Sequence, residues 1–383
     1  MQSKQPEQPL VSIVRCADYD RARVKQALHA AIAPLGGIEA FVSPGSRVLI
    51  KPNLIAGTPP ERGATTHPEI LRAVIEEVRS AGGEATVGES PGAESFRTAA
   101  RKSGLLEVME ELSVEEASFS NTREVHLGSG HIAPSLPIAE PILDADVIIS
   151  LPKLKAHGLV AYTGCIKNMF GVISGVSKAK YHLRFQDRDT FSALLAQIYA
   201  VATPTLSILD GIVAMEGNGP RNGDPVSLGL LLASTNGLAA DIAACSIIGL
   251  NPMDSPPLSA AADLGLGPRS LADVAVSGPP IDELKVVGFK TPRASRPSLR
   301  KTLTTGWAGI TLRNMLTTRP ALLPRECRGC GVCARACPAQ AITMANGAAH
   351  FDYSKCIRCY CCQELCERGA IVLKTPPLAG LFR

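Results

Sequence analysis

The sequence predicts an α/β fold, a largely parallel sheet with flanking helices, followed by a small α+β domain built around cysteines. Three observations predict it. From residue 11 to about 285, short apolar runs alternate with helix-like segments. Nine of the 12 cysteines fall between Cys327 and Cys366. A basic stretch free of Asp and Glu lies between these two regions. A chain of 383 residues exceeds one ordinary core, so two or three domains are expected.

The expected strands are Val11–Val14, Val48–Ile50, Ala85–Val87, Val147–Leu151, Leu206–Leu209 and Leu228–Leu232. They are unbroken apolar runs, as suits strands covered on both faces. The clearest helix is His67–Ser80, with Ile70, Leu71, Val74, Ile75 and Val78 on one face and a stop at Gly82-Gly83. Strands alternating with helices imply a mostly parallel sheet. This domain is read as 11–285, the basic connector as 286–325 and the cysteine domain as 326–374. Around the connector stand Lys285, Lys290, Arg293, Arg296, Arg300, Lys301, Arg313, Arg319 and Arg325, together with Trp307. It reads as a linker draped over the first domain.

Composition limits the partners. A net charge of +4 is too mild for a dedicated nucleic-acid binder. The first ten residues contain no apolar signal-peptide core, so a cytoplasmic protein is expected rather than a secreted one. The stretch Val226–Leu250 is near membrane-spanning length, but Ser234-Thr235-Asn236-Gly237 reads as a turn and a span would bury Asp241. It is read as core, and no membrane span is expected.

The cysteines form two runs, Cys327-x2-Cys330-x2-Cys333-x3-Cys337-Pro338 and Cys356-x2-Cys359-x2-Cys362-x3-Cys366. A cubane cluster needs four thiolates, and three cysteines spaced three apart wrap three corners. In two-cluster ferredoxins the fourth thiolate comes from the other run. The expectation is two 4Fe–4S clusters, one on Cys327, Cys330, Cys333 and Cys366, the other on Cys356, Cys359, Cys362 and Cys337. Zinc, usually held by two separated pairs, fits two runs of four poorly. Cys361, beside Cys362, reads as a bystander. Ala341–Met344 and Ala370–Leu373 follow their runs at matching offsets and read as paired short strands. The segment Glu326–Lys374 resembles the bacterial two-cluster ferredoxin module.

In the first domain, four strand ends run into polar residues: Lys51-Pro52-Asn53, Gly88-Glu89-Ser90, Pro152-Lys153-Leu154-Lys155-Ala156-His157 and Asp210-Gly211. In a parallel sheet these ends share the carboxyl edge, where such sheets bind ligands. Lys51, Asn53, Lys153, Lys155, Lys167 and Asn168 are the candidates for holding a small anionic substrate. His157, Asp210 and Glu216 are the candidate acid–base residues, with Glu89 a further one. Each alone has a blander reading, a solvated loop lysine or a structural histidine. Cys165 has one too, a buried thiol. There is no GxxxxGK[ST] loop, and Gly217-x-Gly219 lacks the context of a dinucleotide fingerprint.

These segments also carry a resemblance. KPNL at Lys51–Leu54, His67-Pro68-Glu69, LPKLKAH at Leu151–His157, CIKNMFG at Cys165–Gly171 and DGIVAMEGNGP at Asp210–Pro220 look like the domain of unknown function family 362. Many of its members carry a C-terminal two-cluster ferredoxin module. The resemblance implies an iron–sulfur protein without a defined substrate. The leading reading is an oxidoreductase fed by an electron donor protein. The alternatives are an electron-transfer protein that docks a partner enzyme, and a redox-sensing or assembly protein without catalysis of its own.

Overall fold

The computed structural model describes residues 8–292, 315 and 317–376 of the chain. The strands of the main domain are β1 (Leu10–Arg15), β2 (Arg47–Pro52), β3 (Glu84–Val87), β4 (Glu115–Glu116), β5 (Thr122–His126), β6 (Ser135–Ala139), β7 (Val147–Leu151), β8 (Lys153–His157), β9 (Ala161–Thr163), β10 (Leu206–Glu216), β11 (Asp224–Ser234) and β12 (Ala275–Ser277). The large sheet runs β12-β1-β11-β10-β7-β2-β3-β4, with β8 on β10 and β9 on β8; β5 and β6 pair separately. The six expected strands are all present. Pairing is parallel from β10 through β7, β2 and β3 to β4. In contrast, β11 is antiparallel to both β1 and β10, so the sheet is mixed. The loop between β10 and β11 is too short for the crossover that a parallel pair needs.

Side chains alternate across this sheet. Val48 and Ile50 of β2 join one core, with the helices Arg21–Ile32 and Pro68–Ser80, while Leu49 joins the other, with the helices Arg188–Val201 and Gly237–Ile247. The Pro68–Ser80 helix starts as its sequence dictates. Pro68 takes the first turn, and His67 Nδ1 accepts from the Glu69 amide at 3.2 Å. The stretch Val226–Leu250 is a strand, a turn and a helix, with Asn236 Oδ1 accepting from the Ala239 amide at 2.9 Å. Among the described residues, no helix is long and apolar enough to cross a membrane.

Two segments depart from expectation. Lys153–His157, expected only as the polar run after a strand end, is itself strand β8, separated from β7 by Pro152 alone. It pairs with the outer half of β10, where Asp210 opposes Lys153 and Met215 opposes Lys155. In the cysteine domain, β13 (Arg319–Leu322) pairs with β16 (Ile371–Lys374), and β14 (Ile342–Ala345) with β15 (Ala348–Phe351). The two apolar segments after the cysteine runs are therefore not each other's partners; each finds a partner nearby. Arg293, Arg296, Arg300, Lys301, Trp307 and Arg313 of the basic connector lie outside the described residues.

Asp241 ties the core to the residues at the sheet edge. Fully buried, it accepts from the Cys165 amide (2.7 Å), the Ile166 amide (3.0 Å) and the Tyr162 hydroxyl (3.0 Å). It thereby caps the turn Cys165–Asn168, which carries Lys167 and Asn168. Asp241→Ala would leave these donors unpaired and should cost on the order of 3 kcal/mol. Thermal denaturation checks this; an unchanged midpoint contradicts it.

Candidate functional site

The site is built on the alternation of β8. Lys153, Lys155 and His157 lie two residues apart and share one face, while Leu154 and Ala156 enter the apolar core on the other. None of the three polar side chains is more than 1% exposed, and Lys51 of β2 is equally buried. Burying an ammonium group costs several kcal/mol unless partners replace water. The partners come from neighbouring strand ends. Lys51 Nζ pairs with Glu89 and donates to the Asn168 carbonyl at 2.7 Å. Lys153 Nζ lies 2.7 Å from both Asp210 Oδ2 and the Tyr19 hydroxyl, which in turn donates to Asp210 Oδ1 at 2.8 Å. Lys155 Nζ donates to Asn53 Oδ1 and the Ala64 carbonyl, both at 2.6 Å. Asn168 links the set, accepting from Asn53 Nδ2 at 3.0 Å and donating to Ser150 Oγ at 2.9 Å.

The carboxyl edge thus gathers Lys51, Asn53, Glu89, Lys153, Lys155, His157, Asn168 and Asp210. Lys167, partly exposed, stands close enough to depress the pKa of Lys155 and His157. Glu216 does not join them. Its carboxylate accepts from the Lys290 amide at 2.9 Å and pairs with Lys290 Nζ at 3.0 Å, fixing the start of the connector. Sequence reading missed Tyr19, which lies in a loop before the first helix, and Glu364, which lies between two cysteines whose spacing says nothing about it.

Glu364 belongs to the cysteine domain, and its Oε1 stands 3.2 Å from His157 Nε2, though not aligned for a good hydrogen bond. The Leu159 amide donates to His157 Nδ1 at 3.1 Å, so a neutral ring carries its proton on Nε2, facing Glu364. Around this contact the cysteine domain is held to the sheet edge. Buried Arg221 donates to the Gly57 carbonyl (2.7 Å), Thr58 Oγ1 (3.2 Å) and the Leu365 carbonyl (3.1 Å). Asn222 Nδ2 donates to the Cys366 carbonyl at 2.9 Å, and Gln363 Nε2 to the Asn218 carbonyl at 3.1 Å. Gly158 lies against the Leu373 side chain of the cysteine domain, which a methyl group there would push aside.

The cysteines fall into two neighbourhoods. Cys337, Cys356, Cys359 and Cys362 line one small enclosed cavity, with Pro338, Ile342 and Phe351. Burial pushes the Cys333 thiol up, and nearby Cys366, Cys330 and Cys327 add to this. Both runs share an unusual backbone: φ is positive at Gly329, Gly331 and Gln340, and at the equivalent Arg358, Tyr360 and Gly369. Such turns aim amides inward, and the Ala341 amide donates to Cys337 Sγ at 3.3 Å. Four cysteines lining one cavity, with an N–H···S bond beside them, are the kind of donor set a 4Fe–4S cluster takes. The Cys361 thiol hydrogen-bonds to Cys359 and holds that thiol below its ordinary value.

The family model of a domain of unknown function, DUF362, matches residues 48–246, and that of a 4Fe-4S dicluster domain matches 319–367. A thylakoid-associated protein of Synechocystis sp. is 37% identical over 288 residues, 75% of this chain and 89% of that protein. The lactate racemase apoprotein from Thermoanaerobacterium thermosaccharolyticum aligns over 60% of this chain and 55% of its own, with TM-score 0.38 and 15% identity. A Thermotoga maritima protein aligns over 65% of this chain and 60% of its own, with TM-score 0.38 and 11% identity. This chain thus spans little more than half of either solved structure, and such scores mark a loose likeness only.

Three imidazoles, His157 buried and His67 and His182 partly so, set an acid limit on the fold. Burial pushes His67, His157 and His182 each down to about 4. In the unfolded chain they titrate near ~6.5. Between these values the unfolded state binds more protons, so stability is full above the unfolded pKa and falls as pH drops toward the folded one. The denaturation midpoint should decline as pH falls between about 6.5 and 4. A shallower decline is expected for His182→Gln, and a midpoint that rises on acidification contradicts the assignment.

Proposed function

The chain belongs to the DUF362 family, and on that premise we propose that it is an iron–sulfur oxidoreductase with two 4Fe–4S clusters, acting on a small anionic substrate at the lysine-rich edge. The observation that carries this reading is the seating of the cysteine domain on that edge, with Glu364 against His157 and the Cys366 carbonyl held by Asn222. Electron tunnelling decays steeply with distance, so an electron-carrying module is useful where it touches the reacting site. Bound clusters would supply one-electron storage and transfer. Cys327, Cys330, Cys333 and Cys366 would hold one, and Cys337, Cys356, Cys359 and Cys362 the other. The shared cavity of the second set supports this cross-ligation.

The chain's own residues divide the remaining work. Lys51, Lys153, Lys155 and Lys167, with Asn53 and Asn168, supply the N–H donors to which an anion would bind. Asp210 positions Lys153 and Tyr19. His157, with its Nε2 proton at the junction of the two domains, is the group best placed to move a proton alongside an electron. Glu216 acts through Lys290 as a positioning residue.

A second reading, an electron-transfer protein that docks a partner enzyme, draws support from Lys51 and Lys153, whose charges are already met by Glu89 and Asp210. Anaerobic purification followed by identification of co-purifying small molecules separates the two. An anion released on unfolding favours the enzyme. An empty edge and a stable complex with an electron-transfer enzyme favour the carrier.

Anaerobically prepared protein should contain about eight iron and eight sulfide per chain. Two zinc ions and no sulfide would end the cluster reading. Cys337→Ser should damage the cluster on Cys356, Cys359 and Cys362 while sparing its neighbour in sequence, and Cys361→Ser should keep both; electron paramagnetic resonance tells them apart. Arg221→Ala removes charge-assisted hydrogen bonds worth ~1.5–3 kcal/mol each. It should favour release of the cysteine domain by at least about tenfold, seen as faster limited proteolysis with cluster content unchanged. Cleavage at the wild-type rate would show that Arg221 does not hold the domain in place.

A further inference from the structure

Lys155 differs from its two buried neighbours in its partners. An ammonium group has three N–H bonds to satisfy. Lys51 meets Glu89, the Asn168 carbonyl and, at 3.5 Å, the Pro52 carbonyl. Lys153 meets Asp210 and Tyr19. Lys155 meets two neutral oxygens, Asn53 Oδ1 and the Ala64 carbonyl, and among the described residues no carboxylate stands within ion-pair distance. Two acceptors are what a neutral amine requires: two N–H bonds satisfied and a lone pair left over. The surroundings favour the same state. Burial and nearby Lys167 and Lys153 drive its pKa well down, against a weaker pull from Glu364 and Glu89.

We propose that Lys155 is a redox-linked proton site: it is a neutral amine while the cysteine domain is oxidised, and it takes up one proton when an electron enters. This rests on the reading that the domain carries 4Fe–4S clusters. The balance is simple. An external one-electron reductant supplies the electron, solvent supplies the proton, and the amine becomes an ammonium that offsets the added negative charge. No bond between heavy atoms forms or breaks. The groups around Lys155 are Lys153 and His157 on its own strand, Lys167 from the turn after β9, Glu89 after β3, Lys51 and Asn53 from β2 and its loop, and Glu364 from the docked domain. Lys51, Glu89 and Lys153 are held in ion pairs of their own, which leaves Lys155 as the buried cation site without a fixed counterion.

The test is a dithionite titration of the anaerobic holoprotein from about pH 6 to 9, followed by visible absorbance. For a one-electron couple, each tenfold change in proton concentration is worth about 59 mV. The midpoint potential should fall at that slope over part of the range. The slope should vanish in Lys155→Met and in Lys155→Arg, and persist in His182→Gln. Independently of any variant, full reduction of the wild type in weak buffer should take up close to one proton per chain, read with an indicator dye. A flat wild-type potential with iron and sulfide intact, a slope surviving in Lys155→Met, or no proton uptake overturns the proposal and leaves the cluster reading standing. Absence of iron and sulfide overturns both.

Discussion

Burial of three lysine side chains at the end of a sheet is the constraint on which the rest of the structure depends. Each would cost several kcal/mol if left without partners, a sizeable part of the stability of a whole domain. The fold therefore has to bring Glu89 from β3, Asp210 from β10, Asn53 from β2 and Asn168 from a capped turn to one place. That requirement explains features that otherwise look unrelated. The outer half of β10 overhangs β7 so that Asp210 can oppose Lys153. Asp241 sits in the core because it fixes the turn carrying Asn168. Tyr19 reaches across from the first loop because Lys153 needs a second acceptor.

Much of this was legible in the sequence. A lysine after an apolar run is ambiguous alone, but four polar strand ends in a parallel sheet converge by geometry, and here they do. The gathering of Lys51, Asn53, Lys153, Lys155, His157, Asn168 and Asp210 follows from that argument. What it missed has physical causes. The pattern Lys153-Leu154-Lys155-Ala156-His157 has the period of a strand, yet polar residues at alternate positions usually face water. Here the two lysines face buried polar partners and His157 faces a second domain, and no local pattern announces that. Glu216 follows the same strand as Asp210 but lies beyond the edge, where Lys290 claims it. The antiparallel course of β11 was readable from the short loop before it, had loop length been weighed against the expectation of a uniform sheet.

The repeat that the two cysteine runs announce is carried further by the backbone than by the residues. Its halves place positive φ at three equivalent positions, but the first run fills two of them with glycine, while the second uses Arg358 and Tyr360. A side chain in that region costs on the order of 1–3 kcal/mol. Tyr360 recovers some of this, for its ring is buried with the core of the main domain and its hydroxyl donates to the Thr318 carbonyl at 2.9 Å. The second run is thus specialised for contact with the main domain and the first is not.

The grip of Arg221 on Gly57, Thr58 and Leu365 has a consequence for traffic through the protein. The surface on which the cysteine domain rests is the surface through which the lysines would otherwise meet the outside. On the proposed reading, supply of electrons and admission of ligand would compete for one opening. With the two domains clasped, the charged interior is shielded from water; were they to part, it would be reachable but cut off from its source of electrons. Order of events would then be a property of the architecture, since anything to be reduced would have to be inside before the clasp formed.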